Sequence, residues 1–201
     1  MRPWSPADAQ QIEDDWRAVV GVLYREVGGT GGLDVCVVRL GARMVVSVEG
    51  DGLTLTRVLD WDSKEVHHQT LLLAAPLQHK GFATRLNETM YRQYKASGFV
   101  CVKVYATLSG GGYVWAAEGF EWDGHAREQA TMILERVWEV VSRRGATVEE
   151  RRLLSELEDR LERDDIPKPK ELGRIGRTSD ALTWLGKEAM MGSSWQGRKD
   201  L

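Results

Sequence analysis

The sequence predicts a mixed α/β fold built on a mostly antiparallel sheet, with helices gathered toward the C-terminal end. Three short apolar runs at 35–40, 44–48 and 53–59 carry the first signal. Only Gly41, Ala42 and Arg43, then Gly50, Asp51 and Gly52, join them, so hairpins between antiparallel neighbours are expected. The second signal is a strand-like run at 66–74, a glycine-bearing turn, a helical stretch at 81–97 and a β-branched run at 100–106. The third is the pattern after Phe120, which becomes helical and stays so.

At the N-terminus, Ser5 is the expected N-cap of a helix with Pro6 at its first position. Ile12, Trp16, Val19 and Leu23 recur at helical spacing and form its expected core face. The glycine run at 28–32 ends that helix. It reads as a linker, because a helix precedes it and a strand follows, the reverse of what a phosphate loop needs. Gly98 closes the helix at 81–97. Strand, helix and strand over 66–106 imply parallel neighbours joined by a right-handed crossover, so the sheet is expected to be mixed. Further on, Ala126, Ala130, Ile133, Val137 and Val140 trace one apolar face. Thr147 and Glu150 form a capping box that opens a helix carrying Leu153, Leu154, Leu157 and Leu161. Pro167 and Pro169 break it, and 181–190 is a last short helix. The expected organisation is an α/β domain over 1–124 and a helical C-terminal extension over 125–201.

Composition excludes several classes of function. A net charge of −3 with both signs interspersed gives no electrostatic footprint for nucleic acid or an anionic membrane. No run approaches the ~20 apolar residues of a membrane helix, and the N-terminus lacks the apolar stretch of a leader. A cytoplasmic protein is expected. Cys36 and Cys101 each sit in an apolar strand-like run and are expected to be buried free thiols. No cysteine pair has metal-ligand spacing. His67 and His68 are adjacent on a strand and point to opposite faces, so they cannot easily share a metal, and no metal is expected.

The turn between the fourth run and its helix reads Gln78, His79, Lys80, Gly81, Phe82, Ala83. It places free backbone N–H groups at a helix start, just past a buried strand, and such a start is a site for phosphate. Gly81 and Ala83 are small, so backbone can approach a ligand closely, and Lys80 and Arg85 add positive charge. Gly119 and Phe120 follow after a short helix. Over roughly residues 35–122 this ordered series resembles the acyl-CoA-binding half of the Gcn5-related N-acetyltransferase (GNAT) superfamily. In that family, Gln/Arg-x-x-Gly-x-Gly/Ala holds the pyrophosphate of coenzyme A. The resemblance implies cofactor binding by Leu73 and Ala74 on the strand and by Gln78, His79, Lys80, Gly81, Phe82, Ala83 and Thr84 in the turn. It implies acetyl-CoA as co-substrate, no metal, and direct attack by an amine.

Acyl transfer to an amine needs a neutral amine, a polarised thioester carbonyl and a proton for the departing thiolate. A strand N–H near 72–74 is the expected donor to the carbonyl. Glu65, His67 and His68 are the candidate bases, with Glu49 at the end of another strand. The family commonly carries a tyrosine general acid four residues before the Gly of Gly-Phe. Here that position is Trp115, whose indole N–H is a poor proton donor. Tyr113 and Ser109 are the nearby hydroxyls, although on a helix Tyr113 points away from the Trp115 direction. The family also adds a strand pair after Gly-Phe, whereas this chain has Glu121, Trp122, Asp123 and Gly124 and then helix.

The expected function is acyl-CoA-dependent N-acyl transfer, most simply of acetyl, to a primary amine of a small molecule, peptide or protein. The alternatives are a catalytically inactive GNAT-fold binding or regulatory protein, which Trp115 favours, and an unrelated α/β interaction domain whose turn binds nothing. Trp115 and Trp122 flank Gly-Phe and are candidates to line the acceptor cleft, while Trp16 and Trp138 lie on helical apolar faces. Trp195, near the C-terminus, is expected to dock on this domain or on a second subunit, which is the ground for expecting a homodimer.

Overall fold

The computed structural model describes residues 1–178 and 182–201, with the side chains at 108–110 also outside the description. The protein is mixed α/β, with seven strands, mostly in antiparallel pairs, and seven α-helices among the described residues. It divides into two compact units, Met1–Lys103 with Asp200–Leu201, and Val104–Lys199. The division falls inside the fifth strand rather than near 124, where the sequence pattern turns helical.

In the first unit, α1 (Ala9–Glu26) starts later than the sequence suggests. Asp8 is its N-cap, not Ser5. The Asp8 carboxylate accepts from both the N–H and the hydroxyl of Ser5, and the Ser5 carbonyl accepts the Asp8 N–H, so these residues form a turn ahead of the helix. Ile12, Trp16, Val20, Leu23 and Tyr24 are buried, a stripe that follows the helical period, with Val19 half-buried at its margin.

Strands β1 (Asp34–Leu40), β2 (Arg43–Gly50), β3 (Leu53–Asp60) and β4 (Glu65–Leu73) make an antiparallel meander. Register is set by pairs such as Val35↔Val48 and Leu55↔Leu71. Met44, Val46 and Val48 of β2 face inward with Leu53, Leu55 and Leu59 of β3, as period-two alternation requires. A register shift falls between the pairs Thr56↔Thr70 and Arg57↔His68, with Gln69 as the extra residue in β4, and Arg57 lies inside at 1% exposure. Its Nη1 donates to the carbonyls of Thr56 and Thr70. The same alternation corrects the expectation for Cys36. It is exposed on β1, the last strand at its end of the sheet, next to inward Val35, whereas Cys101 is buried. After β4 come a 3-10 turn (Ala75–Leu77), α2 (Phe82–Ala96) and β5 (Cys101–Ala106), which neighbours β4. Phe82, Leu86, Met90 and Tyr94 are the buried stripe of α2.

The second unit begins with the end of β5. It continues through α3 (Leu108–Ala117), β6 (Glu121–Trp122), α4 (Ala126–Arg144), α5 (Val148–Glu162), α6 (Pro169–Leu172), α7 (Leu185–Met190) and β7 (Trp195–Asp200). Thus the helical stretch expected to form a C-terminal extension ends in a strand. β7 lies between β5 and β6 and pairs antiparallel with β6, Glu121↔Arg198 and Trp122↔Gly197. The last helix expected at 181–190 is α7; Ala181 lies outside the described residues. The capping box of α5 is present, with Thr147 Oγ1 accepting the Glu150 N–H and the Glu150 carboxylate accepting the Thr147 N–H.

Trp195 is 1% exposed, donates through Nε1 to the Gly112 carbonyl at 3.1 Å, and meets Trp122 edge-on at 5.3 Å. It docks within its own unit. Gly112 and Gly186 let backbone approach backbone. A Cβ on Gly112 would collide with the Met190 carbonyl oxygen, and one on Gly186 with the Leu172 carbonyl oxygen. These two contacts seat α3 against the end of α7, and α7 against α6. Among the described residues no helix is long and apolar enough to cross a membrane.

Candidate functional site

The start of α2 is the best-formed candidate. β4 ends at Leu73, the 3-10 turn follows, and two left-handed residues, His79 at φ 60° and Gly81 at φ 77°, swing the chain into the helix. Gly81 is the N-cap, has no side chain to offer the first-turn amides, and is followed by no acidic residue in that turn. The N–H groups of Phe82, Ala83 and Thr84 are therefore presented at the positive end of the helix dipole without a side-chain cap. Gly81 is exposed, and the nearest neighbour to a Cβ there would be Arg85 Nε at 4.0 Å, so the space before the helix is open. These features fit a phosphate or diphosphate group held by backbone donors.

The flanking side chains behave differently from expectation. Lys80 Nζ donates to the Val27 carbonyl at 2.7 Å, and Arg85 pairs with Glu26 at 2.6 Å. Both are drawn to the negative C-terminal end of α1. Gln78 donates through Nε2 to the Leu73 carbonyl at 2.6 Å and through its N–H to the Ala75 carbonyl at 3.2 Å, so it braces the turn. The Ala74 N–H is given to the Gly52 carbonyl at 2.8 Å, which removes it as a donor to a thioester.

Of the candidate bases, β4 brings Glu65 and His67 together and sends His68 the other way. His68 is buried, stacked on Tyr91 at 5.9 Å and edge-on to Tyr94 at 5.9 Å. Burial first, then the positive charges of Arg57 and His67, hold its pKa well below the ordinary imidazole value, so it is neutral at pH 7. On the opposite face, His67 Nε2 lies 3.6 Å from Glu65 Oε2, and Lys103 Nζ lies 3.1 Å from Glu65 Oε1. The Cys101 thiol points at the same carboxylate, 3.8 Å away. Glu49 accepts from the Thr54 hydroxyl at the β2–β3 end. Arg57 and Lys103 were not singled out in the sequence. Only the strand alternation carries a signal for either, and at Arg57 a charged residue occupies an inward position of an otherwise apolar alternation.

In the second unit, Tyr113 on α3 meets Trp184 edge-on at 5.5 Å, with Lys187 Nζ 5.6 Å from its ring centre. Tyr113 lines a shallow cavity with Ala116, Ala117, Lys170, Gly173, Arg174 and Arg177. Trp115 packs edge-on against Phe120 at 5.2 Å. The Ser109 side chain lies outside the described residues. Among the described residues, no group of three or more His, Cys, Asp or Glu is placed to hold a metal ion.

Comparison with known proteins returned no matching family model, no matching curated protein and no matching solved structure. The class defined by the fold is a mixed α/β protein on a mostly antiparallel sheet.

Proposed function

We propose that this chain is an acyl-CoA-dependent N-acyltransferase of the GNAT type, moving an acetyl group from acetyl-CoA to a primary amine on a small molecule, peptide or protein. One observation carries the reading: an uncapped, open helix start behind a left-handed Gly81, reached from the end of β4 through a 3-10 turn. The β6–β7 pair supports it. The resemblance calls for a strand pair after Gly119 and Phe120, and here the second strand is supplied from the far end of the chain.

The amides of Phe82, Ala83 and Thr84 hold the pyrophosphate. Glu65 and His67 form the base: His67 accepts a proton from the amine, directly or through water, while Glu65 orients the ring. The freed amine nitrogen bonds to the thioester carbon, the C–S bond breaks, and the thiolate takes up a proton. His68, sealed under two tyrosine rings, stays out of this step.

The second reading is a catalytically silent GNAT-fold binding or regulatory protein. Trp115 favours it, since the indole held against Phe120 has no acidic hydrogen for the thiolate. Calorimetric titration with acetyl-CoA, beside free coenzyme A, tests both. Micromolar binding that Gly81→Glu abolishes while the fold is kept supports the site. Turnover with a panel of amines then supports the transferase, and binding without turnover supports the silent protein. No binding at millimolar ligand overturns both readings.

A further inference from the structure

The cavity beside Tyr113 is lined by cations that the acyltransferase reading does not use. Lys170, Arg174 and Arg177 are spaced by four and three residues. α6 is a single turn, but the backbone keeps winding beyond it. The Gly173 N–H bonds the Pro169 carbonyl at 3.0 Å, that of Arg174 bonds Glu171 at 3.0 Å, and that of Arg177 bonds Arg174 at 2.9 Å. Continued winding brings the three side chains to one side, where all of them line the cavity. Its floor is Gly173, where a Cβ would come within 3.6 Å of the Tyr113 ring and narrow the space.

No carboxylate neutralises these three among the described residues. Glu171, on the same turn, is taken by Arg160 at 3.0 Å, and Glu188 faces Arg143 and Arg144. Aromatic rings hold the neighbouring cations instead. Arg177 lies over Trp184 at 5.4 Å, and Lys187 lies over the same ring at 5.0 Å. A ring face positions a cation without cancelling its charge. In a chain of net charge −3, this leaves a cationic cluster around a concavity with no carboxylate partner among the described residues. A bound anion would relieve the mutual repulsion.

The cavity measures about 50 Å³, far below the roughly 300 Å³ of a site that encloses a whole small molecule. It suits the head of a ligand. Two guanidinium forks and an ammonium match the oxygens of a tetrahedral phosphate, and the Tyr113 ring gives an apolar wall beside them. We propose that Lys170, Arg174 and Arg177, with Tyr113, form a second binding site for a phosphoryl group, either inorganic phosphate or the phosphate of a small monoester. It is independent of the coenzyme A reading.

The test is calorimetric titration of the full chain with inorganic phosphate and with phenyl phosphate, at ionic strength matched with sodium chloride. Gly81→Glu serves as the background, removing the α2 start as a competing phosphate site. Saturable binding is expected in that background, weakened at least about tenfold by Arg174→Ala or Arg177→Ala and further by the pair. Both arginines are exposed, so these variants should keep the parent circular dichroism and melting profile. Tighter binding of phenyl phosphate supports a monoester ligand, and equal binding supports free phosphate. A response that never saturates, or that the double variant leaves unchanged, overturns the proposal. So does binding that Gly81→Glu alone removes.

Discussion

In the first unit, α1 and the β1–β4 meander bury residues that recur in the sequence with period 3.6 or 2, such as Ile12, Trp16 and Val20, or Met44, Val46 and Val48. In the second, α3, α6 and α7 meet where Gly112 and Gly186 let backbone touch backbone, and Trp195 returns 83 residues along the chain to bond the Gly112 carbonyl. The difference teaches where folding information resides. Periodic burial is written locally and repeated, so each residue confirms its neighbours. A glycine contact is written once, in a residue with no side chain, and its meaning depends on a partner far away in sequence.

The sharpest way to break the comparison is Trp195→Ala. If the second unit depends on a few long-range contacts, deleting this one should remove a large part of its stability. Loss of a fully buried indole, its hydrogen bond and its packing on Trp122 is expected to cost about 3–5 kcal/mol by urea denaturation. Trp16→Ala in α1 is the matched control, buried to the same degree, and is expected to cost about as much. A Trp195 effect below about 1 kcal/mol would mean that the second unit is not held together by its returning strand.

A glycine in each unit separates linker from contact. Gly186→Ala places a methyl against the Leu172 carbonyl, a backbone atom that cannot step aside, and should destabilise by about 1–3 kcal/mol. Gly32→Ala, in the linker of the first unit, meets nothing within 4 Å and needs no left-handed backbone. That change should stabilise by about 0.4–1 kcal/mol through the unfolded chain. Opposite signs in thermal melts are the expected result, and equal signs would undo the distinction.

The same contrast decides what was legible in the sequence. The strands at 35–40, 44–48, 53–59, 66–74 and 100–106 all appear, within a residue or two at most ends, because alternation and short glycine turns fix them locally. The helix start at Gly81 was legible for the same reason. β7 was not, since Trp195, Gln196, Gly197, Arg198 and Lys199 alternate weakly and acquire strand geometry only beside β5 and β6. The direction of Lys80 and Arg85 was equally hidden, because it depends on where α1 ends. In the second unit Tyr113 was identified, but the cations around it were not, since their spacing on a broken turn gives no sustained period.

A proton separates the two faces of β4. His68 has a folded-state pKa well below its ordinary value, because burial and then Arg57 disfavour the charged ring. Above about pH 6.5 both folded and unfolded chains keep it neutral, and it adds no pH dependence. As pH falls below that value the unfolded chain takes up a proton that the folded chain refuses, so stability declines by up to about 1.4 kcal/mol per pH unit. His68→Phe keeps a ring against Tyr91 and should flatten the decline between pH 6.5 and 5. An unchanged profile in that variant would place the titrating group elsewhere.

The smallest expected loss of stability lies in the second unit's most local element. Thr147 caps α5 through its own hydroxyl, and Glu150 returns the bond, so the stabilisation rests on neighbours three residues apart. Thr147→Ala removes the acceptor for the Glu150 amide and is expected to cost about 1 kcal/mol. Thr147→Ser keeps the acceptor and should recover most of it, because the hydroxyl rather than the methyl does the capping. Were both variants to cost the same, packing of the threonine methyl would account for the loss. The local rule that made this helix readable would then not be what stabilises it.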